Sequence, residues 1–98
     1  MEHQPLTDQQ IEAILPELNV AWSDIPGQGL VRVFDTKTFA KGVQIINQIA
    51  EIAETINHHP DIHLTYTQLE VTLYTHETGG VTQHDVDLAK AIDQSIKE

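Results

Sequence analysis

The chain has 98 residues, of which 15 are acidic and 5 are basic, so its formal net charge is −10. This length argues for one domain over residues 1–98, and the negative charge disfavours binding to nucleic acid or to anionic membranes. The chain contains no cysteine, which excludes a disulfide framework, a cysteine zinc site and a cysteine nucleophile.

The N-terminal segment, MEHQPLTDQQ, is acidic and polar, unlike a secretory signal or a transit peptide. No apolar run approaches the roughly 18 residues that a membrane span needs, so we expect a cytoplasmic protein. Within this segment TDQQ, at residues 7–10, has the form of a capping box. It predicts a short first helix that ends at Pro16.

Two strands are predicted after this helix. The segments NVAWSDI (residues 19–25) and LVRVF (residues 30–34) are rich in β-forming residues, and the turn sequence PGQG separates them. Asp35 or Thr36 can then cap a second helix that runs toward His58.

The second helix has the strongest periodicity in the chain. Apolar residues recur at steps of three and four, which is typical of an amphipathic helix: Phe39, Val43, Ile46, Ala50, Ala53 and Ile56, with Ile45, Ile49 and Ile52 widening the stripe. Packing on one small sheet requires less apolar surface than this. The excess indicates either a helix–helix contact between subunits or a single broad core face.

Pro60 ends the second helix. The segments IHLTYTQ (residues 62–68) and LEVTLYTH (residues 69–76) alternate as two more strands, ETGG forms a turn, and residues 81–96 form a third helix. The order α-β-β-α-β-β-α predicts an α+β domain. We expect a four-stranded antiparallel sheet with three helices packed on one face.

Histidines concentrate around the end of the second helix. Glu54 and His58 are four residues apart, so their side chains should share a helix face. His59 follows directly, and His76 comes from the end of the last strand. If the two ends meet, three imidazoles and a carboxylate converge, and imidazole titrates near neutral pH, so such groups can both give and take protons.

Two other interpretations of this cluster stay open. Three histidines and a glutamate are all zinc ligands, although no HxxxH or HExxH spacing occurs. Alternatively, the paired histidines only cap the helix C-terminus. The remaining histidines have no predicted role: His3 lies in a terminal tail, His63 on the less buried sheet face, and His84 in the solvated first turn of the third helix.

The spacing of this segment resembles that of the pterin-4a-carbinolamine dehydratases. Their signature is carried here, in chain order, by Glu54, His58, His59, Pro60, Tyr66, His76 and Asp85. Trp22 and the segment VFDTKTF are similar to the first half of the family, more loosely. The chain departs from the family at Ile62, where an aromatic residue is frequent.

The resemblance implies an enzyme that removes water from 4a-hydroxytetrahydrobiopterin and leaves a quinonoid dihydropterin, as a step in tetrahydrobiopterin recycling. It implies no metal and no redox cofactor. His58 and His76 would be the acid–base pair. His59 would position the substrate and share in proton transfer, and Glu54 would orient His58 or hold the N–H groups of the pterin ring.

The resemblance also implies supporting residues and partners. Pro60 would line the site, and Tyr74 and Thr75 would touch the ligand. Asp85 belongs to the signature and to the substrate site, but with Thr82 it also forms a capping box, which by itself explains an acid at this position. The family forms homodimers or homotetramers. Some of its members act as dimerisation cofactors or assembly proteins, so a non-catalytic binding protein is the alternative.

Overall fold

The structure, a computed structural model, describes residues 4–97. Its helices are α1 (Asp8–Ile14), α2 (Phe39–Ile56) and α3 (Gln83–Ser95), and its strands are β1 (Ser23–Ile25), β2 (Gly29–Asp35), β3 (Asp61–Leu64) and β4 (Gln68–Leu73). A 3-10 turn, Leu15–Glu17, extends α1. The predicted order α-β-β-α-β-β-α is confirmed. His3, which was expected in a tail, lies outside the described residues.

The four strands form one antiparallel sheet in the order β1-β2-β4-β3. Leu30 pairs with Leu73 and Phe34 with Leu69 across the central strands β2 and β4. The strand β3 lies at one edge and pairs only with β4 within the described part of the sheet. This edge strand begins directly after Pro60, so the sheet fixes the backbone that leaves the paired histidines.

The core lies between one face of the sheet and the helices. Its fully buried side chains come from β2, β4, α2 and α3: Leu30, Leu69, Val71, Leu73, Ile45, Ile49, Leu88 and Ile92. Ile11 of α1 joins the same cluster. Ile45, Ile49 and Ala53 of the α2 stripe are buried, so this part of the stripe belongs to the core. Three stripe residues are exposed, namely Ala50, Phe39 (51%) and Val43 (40%), and a helix–helix contact between subunits stays a prediction.

The predicted ends of several elements were wrong. The helix α2 is capped by the Thr38 side chain, which accepts from the Lys41 N–H, and not by Asp35 or Thr36. Thr36 instead continues the sheet, because its N–H donates to the Thr67 carbonyl. The predicted strands at 19–25, 62–68 and 69–76 are shorter than expected, and α2 ends at Ile56, before Pro60.

Tyr66 illustrates the second of these shortened strands. Its ring is 75% exposed because β3 ends at Leu64 and the chain turns there: the Thr65 N–H donates to the Gln68 carbonyl. Tyr66 therefore does not share a strand face with Ile62 and Leu64. Among the described residues, no helix is both long enough and apolar enough to cross a membrane.

Candidate active site

The site begins at the C-terminal end of α2, where Asn57 adopts a left-handed conformation with φ of 62°. This residue closes the helix, and the His58 N–H donates to the Ala53 carbonyl, as expected of a helix C-terminal motif. The turn moves His58 off the helical face that carries Glu54. The predicted Glu54–His58 alignment is therefore wrong. Glu54 pairs with His59 instead, with 2.6 Å between Oε2 and Nε2.

His58 is held by a carboxylate from α3. Its Nε2 lies 2.6 Å from Oδ1 of Asp85, whose side chain is fully buried, while the His58 side chain is 15% exposed. The other carboxylate oxygen, Oδ2, accepts hydrogen bonds from the Thr75 hydroxyl at 2.8 Å and from the Thr82 N–H at 2.9 Å. A buried carboxylate is stable only with such partners.

Of the two roles that the sequence left as alternatives for Asp85, the helix cap is confirmed, and the substrate contact stays a prediction. Asp85 forms the predicted capping box with Thr82 at the start of α3, and it is also the partner of His58. Thr75 is 3% exposed, and its hydroxyl also lies 2.8 Å from that of Thr82. The Thr75 side chain is therefore engaged inside the protein, behind the imidazole.

His76 lies on the loop after β4 and is 70% exposed. Its Nε2 lies 3.0 Å from Oδ2 of Asp61, the first residue of β3. Its ring meets the Tyr74 ring edge-on, with 5.1 Å between centroids. The neighbouring pair of His59 and Glu54 is also exposed, at 57% and 76% of the side-chain surfaces.

These residues surround a cleft of about 360 Å³, lined by Asn57, His58, His59, Tyr74, His76 and Glu77. The structure therefore brings together the three histidines expected in the site. Glu54 and Asp85 reach it through their imidazole partners. Pro60 and Thr75, which were expected to line the site or touch a ligand, are not among the residues that line this cleft.

Sequence reasoning missed two residues of this site. His84 was expected to be solvated, but it is half-buried, and its ring centroid lies 5.6 Å from that of His58. That prediction is wrong because α3 starts against the end of α2. Asp61 gave no signal either, since its contact with His76 depends on the pairing of β3 with β4. His63, expected on the less buried sheet face, is exposed.

Each imidazole of the cleft thus pairs with a different carboxylate. Within residues 4–97, no three side chains among the histidines and acids are grouped as a metal site would require. The zinc interpretation therefore has no ligand set in this part of the chain. Proton transfer is the chemistry that separate imidazole–carboxylate pairs can perform.

A second cleft, of about 420 Å³, meets the first at Tyr74 and is bordered by the acidic residues Asp8, Glu12 and Asp24. Burial, and secondly the nearby Asp8 carboxylate, raise the pKa of Asp24 above its ordinary value of 3.8. Both causes disfavour the charged form of this carboxyl.

Comparisons with known proteins agree with this geometry. Residues 4–95 match the family model described as pterin 4 alpha carbinolamine dehydratase. The chain is 40% identical over 89 residues to a protein of Picosynechococcus sp., covering 91% of this chain and 95% of the relative. It is 41% identical over 88 residues to a protein of Mycobacterium avium, covering 90% and 92%. Both are provisionally named pterin-4-alpha-carbinolamine dehydratases.

A solved structure shares the fold. The crystal structure of a protein from Brucella melitensis, described as a transcriptional coactivator/pterin dehydratase, is similar with a TM-score of 0.83 and 30% sequence identity. The similarity covers 93% of this chain and 97% of that chain. Together these matches confirm the resemblance that the residues from Glu54 to Asp85 indicated.

Proposed function

Because the chain belongs to the pterin-4a-carbinolamine dehydratase family, we propose that it removes water from 4a-hydroxytetrahydrobiopterin and so takes part in tetrahydrobiopterin recycling. The product is the quinonoid dihydropterin. One observation carries the proposal: His58, His59 and His76 line a single cleft, and each has its own carboxylate partner.

The reaction needs two proton transfers. A proton must reach the hydroxyl that leaves carbon 4a, and a proton must leave a ring nitrogen of the pterin. The oxidation state of the substrate does not change in the loss of water, so no electron acceptor is required. General acid–base help of this kind is typically worth about 10²–10⁴-fold in rate.

His58 and His76 are the proposed acid–base pair. In each imidazole Nε2 contacts a carboxylate, which favours the tautomer with its proton on Nε2 and orients the ring. That arrangement leaves Nδ1 to exchange a proton with the substrate. His58 belongs to the end of α2 and His76 to the loop after β4, so the two can act at different atoms of one pterin ring.

The other members of the site support this pair. His59, with Glu54 beside it, would position the substrate, and the exposed Glu54 carboxylate can accept from N–H groups of the pterin. Tyr74 forms a wall of the cleft. Asp85 would act through His58, and Thr75 through Asp85. Pro60 would fix the backbone between His59 and β3.

The direct test is a stopped-flow measurement of 4a-hydroxytetrahydropterin breakdown, with and without the purified chain, in the presence of a chelator. We expect acceleration, and we expect His58→Ala and His76→Ala each to lower the rate by about 10²-fold. His63→Ala is the matched control, because it removes an exposed imidazole that does not line the cleft.

The possible outcomes test the dehydratase assignment separately from the roles given to His58 and His76. A folded wild-type chain that leaves the breakdown rate unchanged would overturn the dehydratase assignment. Acceleration that survives in both histidine variants would retain the dehydratase and overturn the roles given to His58 and His76. Activity lost on adding the chelator would contradict metal-free catalysis.

Self-association is the second part of the proposal. The helix α2 crosses β3 where Gly42 meets Leu64, since a Cβ on Gly42 would lie 2.5 Å from Leu64 Cδ1. On α2, Phe39 comes three residues before Gly42 and Val43 directly after it, and on the edge strand β3 Ile62 shares a face with Leu64, two residues further along. This apolar edge patch (Phe39, Val43 and Ile62) supports a homodimer or homotetramer.

A non-catalytic binding or assembly role on the same fold is the alternative function. It is favoured by the coactivator description of the Brucella melitensis protein and by the apolar edge patch. A binding role carried by that patch would survive His58→Ala, whereas dehydration would not. The cytoplasmic location expected from the sequence stays a prediction.

A further inference from the structure

We propose that Asp61 is a positioning residue for His76, holding its imidazole in place for proton transfer; this inference rests on the proposed dehydratase function. Asp61 is the first residue of β3, and its Oδ2 lies 3.0 Å from Nε2 of His76. No motif in the sequence assigns a role to this carboxylate.

His76 needs external support because its backbone is on a loop. It lies beyond the end of β4, on the turn closed by the bridge between Thr75 and Gly80. Its side chain is 70% exposed. Within residues 4–97, two side chains hold the ring: the Asp61 carboxylate through Nε2, and Tyr74 through an edge-on ring contact. Tyr74 limits the tilt of the ring, and Asp61 determines which nitrogen is engaged.

Asp61 is well placed to give this support, since its own backbone is part of the sheet. It is in register with Thr72 of β4, and Pro60 restricts the backbone just before it. The same short segment therefore carries His58 and His59 into the cleft and then supplies the carboxylate that holds His76. Asp61 thereby fixes the distance between the two halves of the acid–base site.

The hydrogen bond also selects a tautomer. A carboxylate that accepts from Nε2–H leaves Nδ1 unprotonated in the neutral imidazole, as in other imidazole–carboxylate pairs. Within the described residues, His76 Nδ1 makes no hydrogen bond, so it is the nitrogen left for substrate. An exposed pair of this kind contributes little to folding stability. The role of Asp61 should therefore appear in the reaction and in the imidazole, and not in the melting temperature.

Steady-state kinetics with two variants test this role. Asp61→Ala should lower kcat by about 10- to 100-fold, the usual range for loss of a partner that orients a functional histidine, at an unchanged melting temperature. Asp61→Asn should recover most of the rate, because its amide oxygen can still accept from Nε2–H. In a His76→Ala background, Asp61→Ala should have no further effect.

The matched control is Asp35→Ala. It removes an equally exposed carboxylate, 68% against 64%, that is also in an exposed ion pair but with Lys37, away from the cleft. We expect wild-type rates from it. If Asp61→Ala kept the wild-type rate in an active enzyme, or lowered the rate equally with and without His76, the positioning role would be overturned while the dehydratase remained.

A second measurement does not depend on activity. Nitrogen-15 NMR of the imidazoles should show His76 as the Nε2–H tautomer in the wild-type chain and in Asp61→Asn, and as a mixture of tautomers in Asp61→Ala. Identical His76 spectra in all three chains would overturn the inference. If the wild-type chain failed to dehydrate the pterin, the proposed function would fall, and these spectra would still decide whether Asp61 holds His76.

Discussion

The buried carboxylate of Asp85 links three parts of the chain through its two oxygens. One oxygen meets His58 at the end of α2, and the other accepts from Thr75 after β4 and from the backbone of Thr82 at the start of α3. An amide in this place would turn one of the two oxygens into a donor, so it could keep all of these partners only if His58 changed to the tautomer with its proton on Nδ1. The same side chain therefore supports the fold and the orientation of an imidazole.

We expect Asp85→Asn to lower both stability and rate. The misplaced NH2 group should cost about 1–3 kcal/mol of unfolding free energy, as is usual when a buried polar group loses its partner. Because His58 loses the carboxylate that orients it, the dehydration rate should fall by about 10-fold or more. Urea unfolding and stopped-flow kinetics on the same sample measure the two effects.

Thr82→Ala is the control for the cap alone. It removes the hydroxyl next to Thr75 and leaves the His58–Asp85 contact in place, so it should lower stability with only a small effect on rate. If Asp85→Asn behaved in the same way, Asp85 would be a helix cap without a part in the reaction.

The histidines of the site could be found from the sequence, but their partners could not. The spacing of His58, His59 and His76 can be recognised in the sequence without knowledge of the fold. The assignment of Glu54 to His58 failed because a single left-handed residue, Asn57, changes the direction of the chain. His84 was missed because its burial comes from the approach of α3 to α2.

At the scale of elements, the first residue of β2 lies close to the end of β4. Gly29 has φ of 112°, and a Cβ at this position would collide with the Leu73 carbonyl oxygen and lie 3.2 Å from Tyr74 Cβ. Gly27, in the turn just before β2, has φ of 79°, but a Cβ there would have no atom of the described residues within 4 Å beyond its chain neighbours. The two glycines therefore separate backbone strain from a steric clash.

Gly29→Ala should destabilise the protein by at least about 3 kcal/mol, since strain and overpacking act together. Gly27→Ala should cost only about 1–2 kcal/mol, the penalty of a left-handed conformation. Urea unfolding of the two variants gives the comparison. Equal losses would mean that the approach of Gly29 to Leu73 has no energetic consequence.

Asp24 of β1, which is near Asp8 of α1, should make the folding stability of the protein depend on pH. Burial, followed by repulsion from Asp8, raises the pKa of Asp24, so ionisation of Asp24 in the folded chain costs stability that the unfolded chain does not lose. Asp24→Asn should therefore unfold at a higher temperature than the wild-type chain at pH 7. The gain should shrink as pH falls through the raised pKa, and vanish below the ordinary value of 3.8.

Glu51→Gln controls for this effect, because it removes one negative charge from an exposed position on α2. Melting temperatures of the three chains between pH 3 and pH 7 make the measurement. A gain in Asp24→Asn that is independent of pH, or a gain of equal size in Glu51→Gln, would contradict the assignment to the ionised Asp24.

The order of elements could be predicted because it follows from hydrophobic periodicity, whereas the site was predicted from the spacing of its histidines. Hydrophobic periodicity records burial, and α2, β4 and α3 are buried along continuous faces. The ends of elements depend on single contacts, and there the predictions failed. Residues 19–22 were predicted as part of a strand. Instead, the Asn19 N–H and the Trp22 indole N–H donate to the Asp93 carboxylate of α3, so these residues do not join the sheet.

At the scale of the whole molecule, no further strand among residues 4–97 pairs with β3 at its edge of the sheet. In the apolar edge patch, Ile62 of the edge strand β3 is 37% exposed, and Phe39 and Val43 of α2 are 51% and 40% exposed. Unpaired strand edges with apolar neighbours favour association with another chain. A net charge of −10 opposes such association through long-range repulsion, so the contact should strengthen as salt screens that repulsion.

Sedimentation velocity tests this association with one matched pair of variants. Val43→Asp places a charge inside the apolar edge patch, and burying an unpaired charge in an interface is costly, so this variant should sediment as a smaller species than the wild-type chain. Val20→Asp adds the same charge at a side chain that is 97% exposed and remote from the patch, so it should sediment as the wild type does. A wild-type chain that remains monomeric at high salt, or a Val43→Asp chain that keeps the wild-type mass, would remove the patch as an interface. If Val43→Asp is smaller but dehydrates at the wild-type rate, the cleft is complete within one chain, and association serves stability or a second partner.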